Sequence, residues 1–202
     1  MFSTSSFIQV YLDTNGILKY SQIKNPTTPE RKILAEIYKL FCDDKISLFT
    51  TQGSFSDIWG DNDEQITSDA SKAAASERER TRLNNTFSLA TSHIETIADF
   101  DEISIDLFNI FFRTQKDKNN IWQYYTSLDE NNKIDFLILR DCFNDANNSS
   151  YFITQNKKDF IANGKKEEIE QYASSKGKSF KISMITKEVL DMIKKDIVEM
   201  KI

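Results

Sequence analysis

A chain of 202 residues with 31 acids against 26 lysines and arginines has a formal net charge of -5 and a pI near 5.1. That length buries a core without staples, and that charge balance argues against a broad nucleic-acid-binding surface while leaving room for a local basic groove. Two cysteines, Cys42 and Cys142, are too few for a disulfide framework or a four-cysteine zinc site, and the single histidine, His93, excludes a His-rich zinc centre, a Ser-His-Asp triad elsewhere and a paired-histidine ribonuclease site. With no basic region followed by an apolar core at the N-terminus and no run of membrane-spanning length, a soluble cytoplasmic protein is expected. Any catalysis must rest mainly on carboxylates, and acids gathered in a pocket suit a hard divalent cation.

Residues 7–13, "FIQVYLD", read as a strand buried on both faces, because Phe7, Ile8, Val10, Tyr11 and Leu12 leave little polar alternation. The run stops at Asp-Thr-Asn-Gly, residues 13–16. Asn-Gly signals a turn, yet an acid held at the carboxyl edge of a buried sheet, where open α/β folds place ligands, reads the same way. Thr28 and Pro29 then make an N-cap and first helical position, followed by Ile33, Leu34, Ile37, Leu40 and Phe41 at helical spacing. "KISLFTT", residues 45–51, is a second strand, and "SFSDIW", residues 54–59, begins another helical segment.

Residues from about 61 to 130 differ in character: "SDASKAAASERERTRL" is polar and helix-prone with few large apolar anchors, and reads as an exposed helical insertion. "ISIDLFNIFF", residues 103–112, and "IWQYY", residues 121–125, supply groups read as packing rather than as a base-stacking platform. From 132 the alternation returns: an amphipathic helix "NKIDFLILRDCFN", a strand "SYFIT" at 150–154, a turn at 155–160, a Lys- and Glu-rich helix, strand "FKISMI" at 180–185, and a helix capped by Thr186. Strands alternating with helices predict one domain over 1–202, a three-layer α/β/α fold with a central, mostly parallel sheet.

Acids or amides stand at or beside these predicted strand edges and helix starts: Asp13 with Asn15, Asp57, Asp135, and the pair Asn156 and Asp159. If the strands lie side by side these groups converge. Converging aspartates repel unless a cation sits among them, and Mg²⁺ or Mn²⁺ suits an oxygen-only, partly hydrated site.

On these residues the chain resembles the PIN-domain nucleases. "VYLDTNGILKY" is similar to that family's opening strand and first acidic motif, "IDFLILRDCF" followed by "YFITQNKKDF" to its acidic helix and Thr-containing strand end, and "FKISMITKEVL" to its closing strand and helix. Position by position, the resemblance implies Asp13, Asp57 and Asp135 as catalytic, metal-holding carboxylates, with Asn15 and Thr154 as supporting polar groups. At Asp57 the family usually has a glutamate. Where many members have an aspartate two residues after the strand-end threonine, this chain has Asn156, a neutral metal ligand, which leaves one ion or two open. Asp159 either compensates through a water or caps the following helix.

The resemblance implies an endoribonuclease that hydrolyses RNA phosphodiesters, RNA rather than DNA, through a carboxylate-bound Mg²⁺- or Mn²⁺-activated water. It also implies a toxin, defence or RNA-processing setting, a protein partner such as an antitoxin, and a homo-oligomer. Lys157 and Lys158 are placed to position a phosphate strand, Arg78 and Arg82 do so if they share one face of the inserted helix and otherwise form a solvated face, and His93 reads as a surface or packing group. Arg140 and Asp141 read as a helix-surface pair, or Asp141 as a group supporting the metal site from behind. A phosphatase of the haloacid-dehalogenase type would need an aspartate at Asn15. A catalytically weak PIN-like module that binds a protein partner is the competing reading, and Asn156 is what favours it.

Overall fold

The protein is described by a computed structural model covering residues 8–20, 26–52, 54, 78, 81–90, 100–147 and 149–200. Among these residues five strands form one sheet: β1 (Ile8–Leu12), β2 (Ile46–Thr50), β3 (Ser88–Leu89), β4 (Ser150–Thr154) and β5 (Phe180–Met184). Every neighbouring pair is parallel and the order is β3-β2-β1-β4-β5. The chain therefore lays β2 and β3 on one side of β1 and then crosses back to put β4 and β5 on the other. The order reverses between β1 and β4. In an open parallel sheet that reversal separates two connecting segments and leaves a crevice at the carboxyl ends of the strands.

Helices cover both faces, so the expected three-layer α/β/α architecture with a parallel sheet is present. Side chains alternate along β1: Ile8, Val10 and Leu12 enter one apolar core and Tyr11 the other. The first core is closed by α1 (Thr14–Tyr20), α2 (Pro29–Cys42) and α8 (Lys187–Glu199) through Ile17, Leu34, Ile37, Val189 and Ile193. The second is closed by α3 (Glu102–Phe112), α4 (Lys118–Ser127), α5 (Glu130–Asp145) and α7 (Lys165–Ser175), with Phe108, Phe111, Ile121, Phe136, Phe143 and Ile169 buried. Burying each such phenylalanine contributes on the order of 2–3 kcal/mol. No helix among the described residues is long and apolar enough to cross a membrane.

Several local expectations change. Asp-Thr-Asn-Gly is not a turn: the chain passes from β1 straight into α1, because the Asp13 carboxylate accepts the Gly16 amide and its carbonyl accepts that of Ile17, which caps the new helix. Residues 155–160 also hold a short helix, α6 (Lys157–Phe160), whose first amides are satisfied by Asn156. The stretch read as an insertion supplies the edge strand β3 and helices α3 and α4, which pack into the sheet and its second core. Most of residues 55–80 lie outside the described residues.

Candidate metal-dependent hydrolase site

Two ends of the fold fix the acids. At β1, Asp13 follows the last strand residue and is 3 % exposed, since the sheet, α1 and β4 enclose it. On α5, Asp129 is the N-cap, its carboxylate accepting the Asn132 amide at 2.9 Å, so Asp135 stands in the second turn instead of opening the helix. The other end of α5 is held by Lys178, whose ammonium donates to the carbonyls of Phe143, Asn144 and Ala146 at 2.7, 3.0 and 2.9 Å. That cation satisfies carbonyls the helix leaves unpaired and complements its dipole.

A chain of hydrogen bonds runs across the reversal point. Thr154, the last residue of β4, donates its hydroxyl to Asp13 Oδ2 at 2.5 Å and accepts the Asn156 amide at 2.9 Å. Asn156 Nδ2 then donates to Asp135 Oδ2 at 3.0 Å. Asp13 and Asp135, 122 positions apart in the sequence numbering, are thus joined through two polar residues of one strand end. Asp13 Oδ1 meanwhile takes the Gly16 amide at 2.7 Å.

Burial pushes the Asp13 carboxyl up to about 6, and the hydrogen bonds from Thr154, Gly16 and Gln155, with the charge of Lys19, act against that rise without cancelling it. A cation at its oxygens would favour the carboxylate further.

Beside this chain opens a polar cleft of about 450 Å³ lined by Asp129, Asn131, Asn132, Asp135, Asn156, Lys158 and Asp159, with Ile134. Lys165 was missed from sequence. Its ammonium donates to the Asp159 carbonyl at 3.2 Å and lies 4.6 Å from the Phe111 ring centroid. Burial lowers it below the usual lysine range, with Asp159 and Asp135 acting the other way. Asp129, Asn131 and Asn132 were also missed, although "DENN" before an apolar-periodic run is a helix-start signal.

The structure brings together Asp13, Thr154, Asn156 and Asp135, and places Asp159 and Lys158 in the adjoining cleft. Asn15 does not join them; it stands exposed in the first turn of α1. Lys157 is exposed at the start of α6 and is not part of the cleft wall. Asp159 does not cap α7, which begins after Gly164 with no side-chain cap. Asp57 and His93 lie outside the described residues. Arg140 and Asp141 are buried, not a surface pair, joined at 2.7 Å with the guanidinium over Phe100. Arg82 lies over the Tyr20 ring.

As a cation site the donor set has the right chemistry, two carboxylates and an amide offering oxygen ligands only. It is incomplete among the described residues, where no three His, Cys, Asp or Glu side chains are grouped to hold an ion. No family model, curated protein or solved structure matches the chain.

Proposed function

We propose that the chain is a metal-dependent endoribonuclease of the PIN class, with Asp13 and Asp135 as its principal carboxylates. One observation carries the reading: the hydrogen-bonded path Asp13–Thr154–Asn156–Asp135 spans the carboxyl ends of β1 and β4 where the strand order reverses. A capping aspartate needs neither that location nor 97 % burial. Burial of a carboxylate that its hydrogen bonds compensate only in part is costly and is a common mark of a functional group.

In this reading Asp13 and Asp135 hold a Mg²⁺ or Mn²⁺ ion, which when bound lowers the pKa of water and offsets charge on the phosphate oxygens. The chain's own residues do the rest. Thr154 and the Gly16 amide fix the Asp13 carboxylate, so that no reorganisation is needed on binding. Asp135 and Asp159 face a cleft where an attacking water can donate to them, while Lys158 offers a cation to a neighbouring phosphate.

The test is cleavage of labelled single-stranded RNA, hairpin RNA and single-stranded DNA with Mn²⁺ or EDTA. Cutting of RNA that needs Mn²⁺ and is lost in Asp13→Asn and Asp135→Asn is expected; equal activity in those variants would sink the assignment.

A second reading has its own observation. Asn156 spends its amide donor on Asp135 at 3.0 Å and brings no charge. A catalytically weak PIN-like module that binds a protein partner would keep such a neutralised arrangement, and calorimetry would then show no carboxylate-dependent Mn²⁺ binding.

A further inference from the structure

The segment "KNNIWQYYTS" that forms α4 carries no acid in a chain with 31 of them. Three of its side chains anchor it. Ile121 is buried, Tyr124 packs edge-on to Phe108 and Phe112 with centroids 5.9 and 6.2 Å apart, and Tyr125 lies 6.3 Å from Phe100. With Ile121 turned inward, the helical period turns Trp122 outward, about a quarter-turn away. Trp122 is 54 % exposed, the largest aromatic surface given to water among the described residues. Packing therefore accounts for Ile121 and the tyrosines but not for the tryptophan.

Lys116 Nζ stands 5.7 Å from the Tyr124 ring centroid and Lys133 Nζ the same distance from that of Tyr125, so both cations lie against the anchoring tyrosines, and Lys133 is paired with Glu130 at 2.7 Å. Asn119, Gln123 and Thr126 are exposed on the same outward side. Two residues after α4 ends comes Asp129, a wall of the acidic cleft.

We infer that the outward face of α4, centred on Trp122, is a stacking platform for a base of a single-stranded nucleic acid whose backbone enters the Asp135 cleft. The inference rests on the nuclease reading above for the role of the cleft, and names a subsite that the carboxylates do not. A single strand fits because an unpaired base offers a π-face to any exposed indole, and amide and hydroxyl side chains meet its edges. A duplex keeps its bases stacked and demands a broad basic surface, which a chain of net charge -5 lacks.

The test is fluorescence anisotropy of a labelled single-stranded RNA and of its duplex, in EDTA, against the full chain. Trp122→Ala should weaken single-strand binding roughly 5- to 100-fold, Trp122→Phe should stay within about threefold, and duplex binding should be weak and unchanged. Equal single-strand affinity of wild type and Trp122→Ala overturns the inference. So does a wild type that binds no single strand, or whose Trp122 face is covered instead by a protein partner that Trp122→Ala releases. Failure of the nuclease reading looks different: Trp122-dependent binding would persist while neither Mn²⁺ nor intact Asp13 produced cutting.

Discussion

Thr154 Oγ1 lies 2.5 Å from Asp13 Oδ2, a contact between the ends of two neighbouring parallel strands with 141 positions between them in sequence. The hydroxyl of a strand-end threonine has one proton to give, and here it goes to the buried Asp13 at that edge of β1. The same oxygen takes the Asn156 amide, so Thr154 is the hinge through which Asp13 and Asp135 are set relative to each other.

Thr154→Val keeps the shape of the side chain and removes that hinge. Losing a hydrogen bond to a buried carboxylate should cost about 2 kcal/mol of stability, read by urea unfolding. Because the Thr154 bond lowers the Asp13 pKa, its midpoint should rise above about 6 in the variant, followed by NMR of the carboxyl carbon. Thr154→Ser should restore both.

Asp13→Asn should make the protein more stable at neutral pH even as it removes activity. The folded carboxyl titrates at about 6 against 3.8 for the ordinary group, so the folded state holds the extra proton between those values. Wild-type stability is then fully present below about 3.8, falls as pH rises through about 6, and is level above that. A shift of roughly 2 units corresponds to about 3 kcal/mol. Unfolding curves of the two proteins should converge near pH 4 and separate by up to that amount at pH 7.5. Parallel curves at all pH values would mean that Asp13 is not held as described.

Gly16→Ala tests how tightly that carboxylate is seated. A Cβ at Gly16 would lie 3.2 Å from both Asp13 Oδ1 and Leu12 Cβ. Alanine gains about 1 kcal/mol of helix propensity, but Leu12 is fully buried and Asp13 is held on its other side by Thr154, so neither can retreat freely. A net loss of about 1 kcal/mol in thermal unfolding is expected, with Mn²⁺ affinity falling alongside. A gain in stability would show that the seat is soft.

Asn156→Asp puts a second charge where the amide now donates to Asp135 at 3.0 Å. In EDTA the like charges should cost about 1 kcal/mol of stability. A bound divalent ion reverses the sign, because the added carboxylate becomes a ligand, and calorimetry should show Mn²⁺ affinity rising severalfold.

Much of the layering was legible from residue pattern. The near-continuous apolar runs at 8–12 and 150–154 demanded burial on both faces, which a parallel sheet between helices provides. Thr28 with Pro29, and Thr186, marked helix starts because local capping chemistry acts over three residues and needs no tertiary partner. The same local logic failed at Asp-Thr-Asn-Gly: a turn and a capped helix share residue types, and only the buried Asp13 carboxylate, already committed to the Gly16 amide, decided for the helix.

By itself, then, the sequence determined which residues could bring acid to a strand end, since that follows from apolar period and the residue standing just beyond it. Only the tertiary structure decided which of them meet. The crossover that sets β4 beside β1 joined Asp13 to Thr154 and Asp135 to Asn156, left Asn15 and Lys157 facing solvent, and drew Lys165 to the carbonyl of Asp159. Those pairings span long separations in the chain, and strand order, which local propensity does not encode, is the physical reason they could not be read from it.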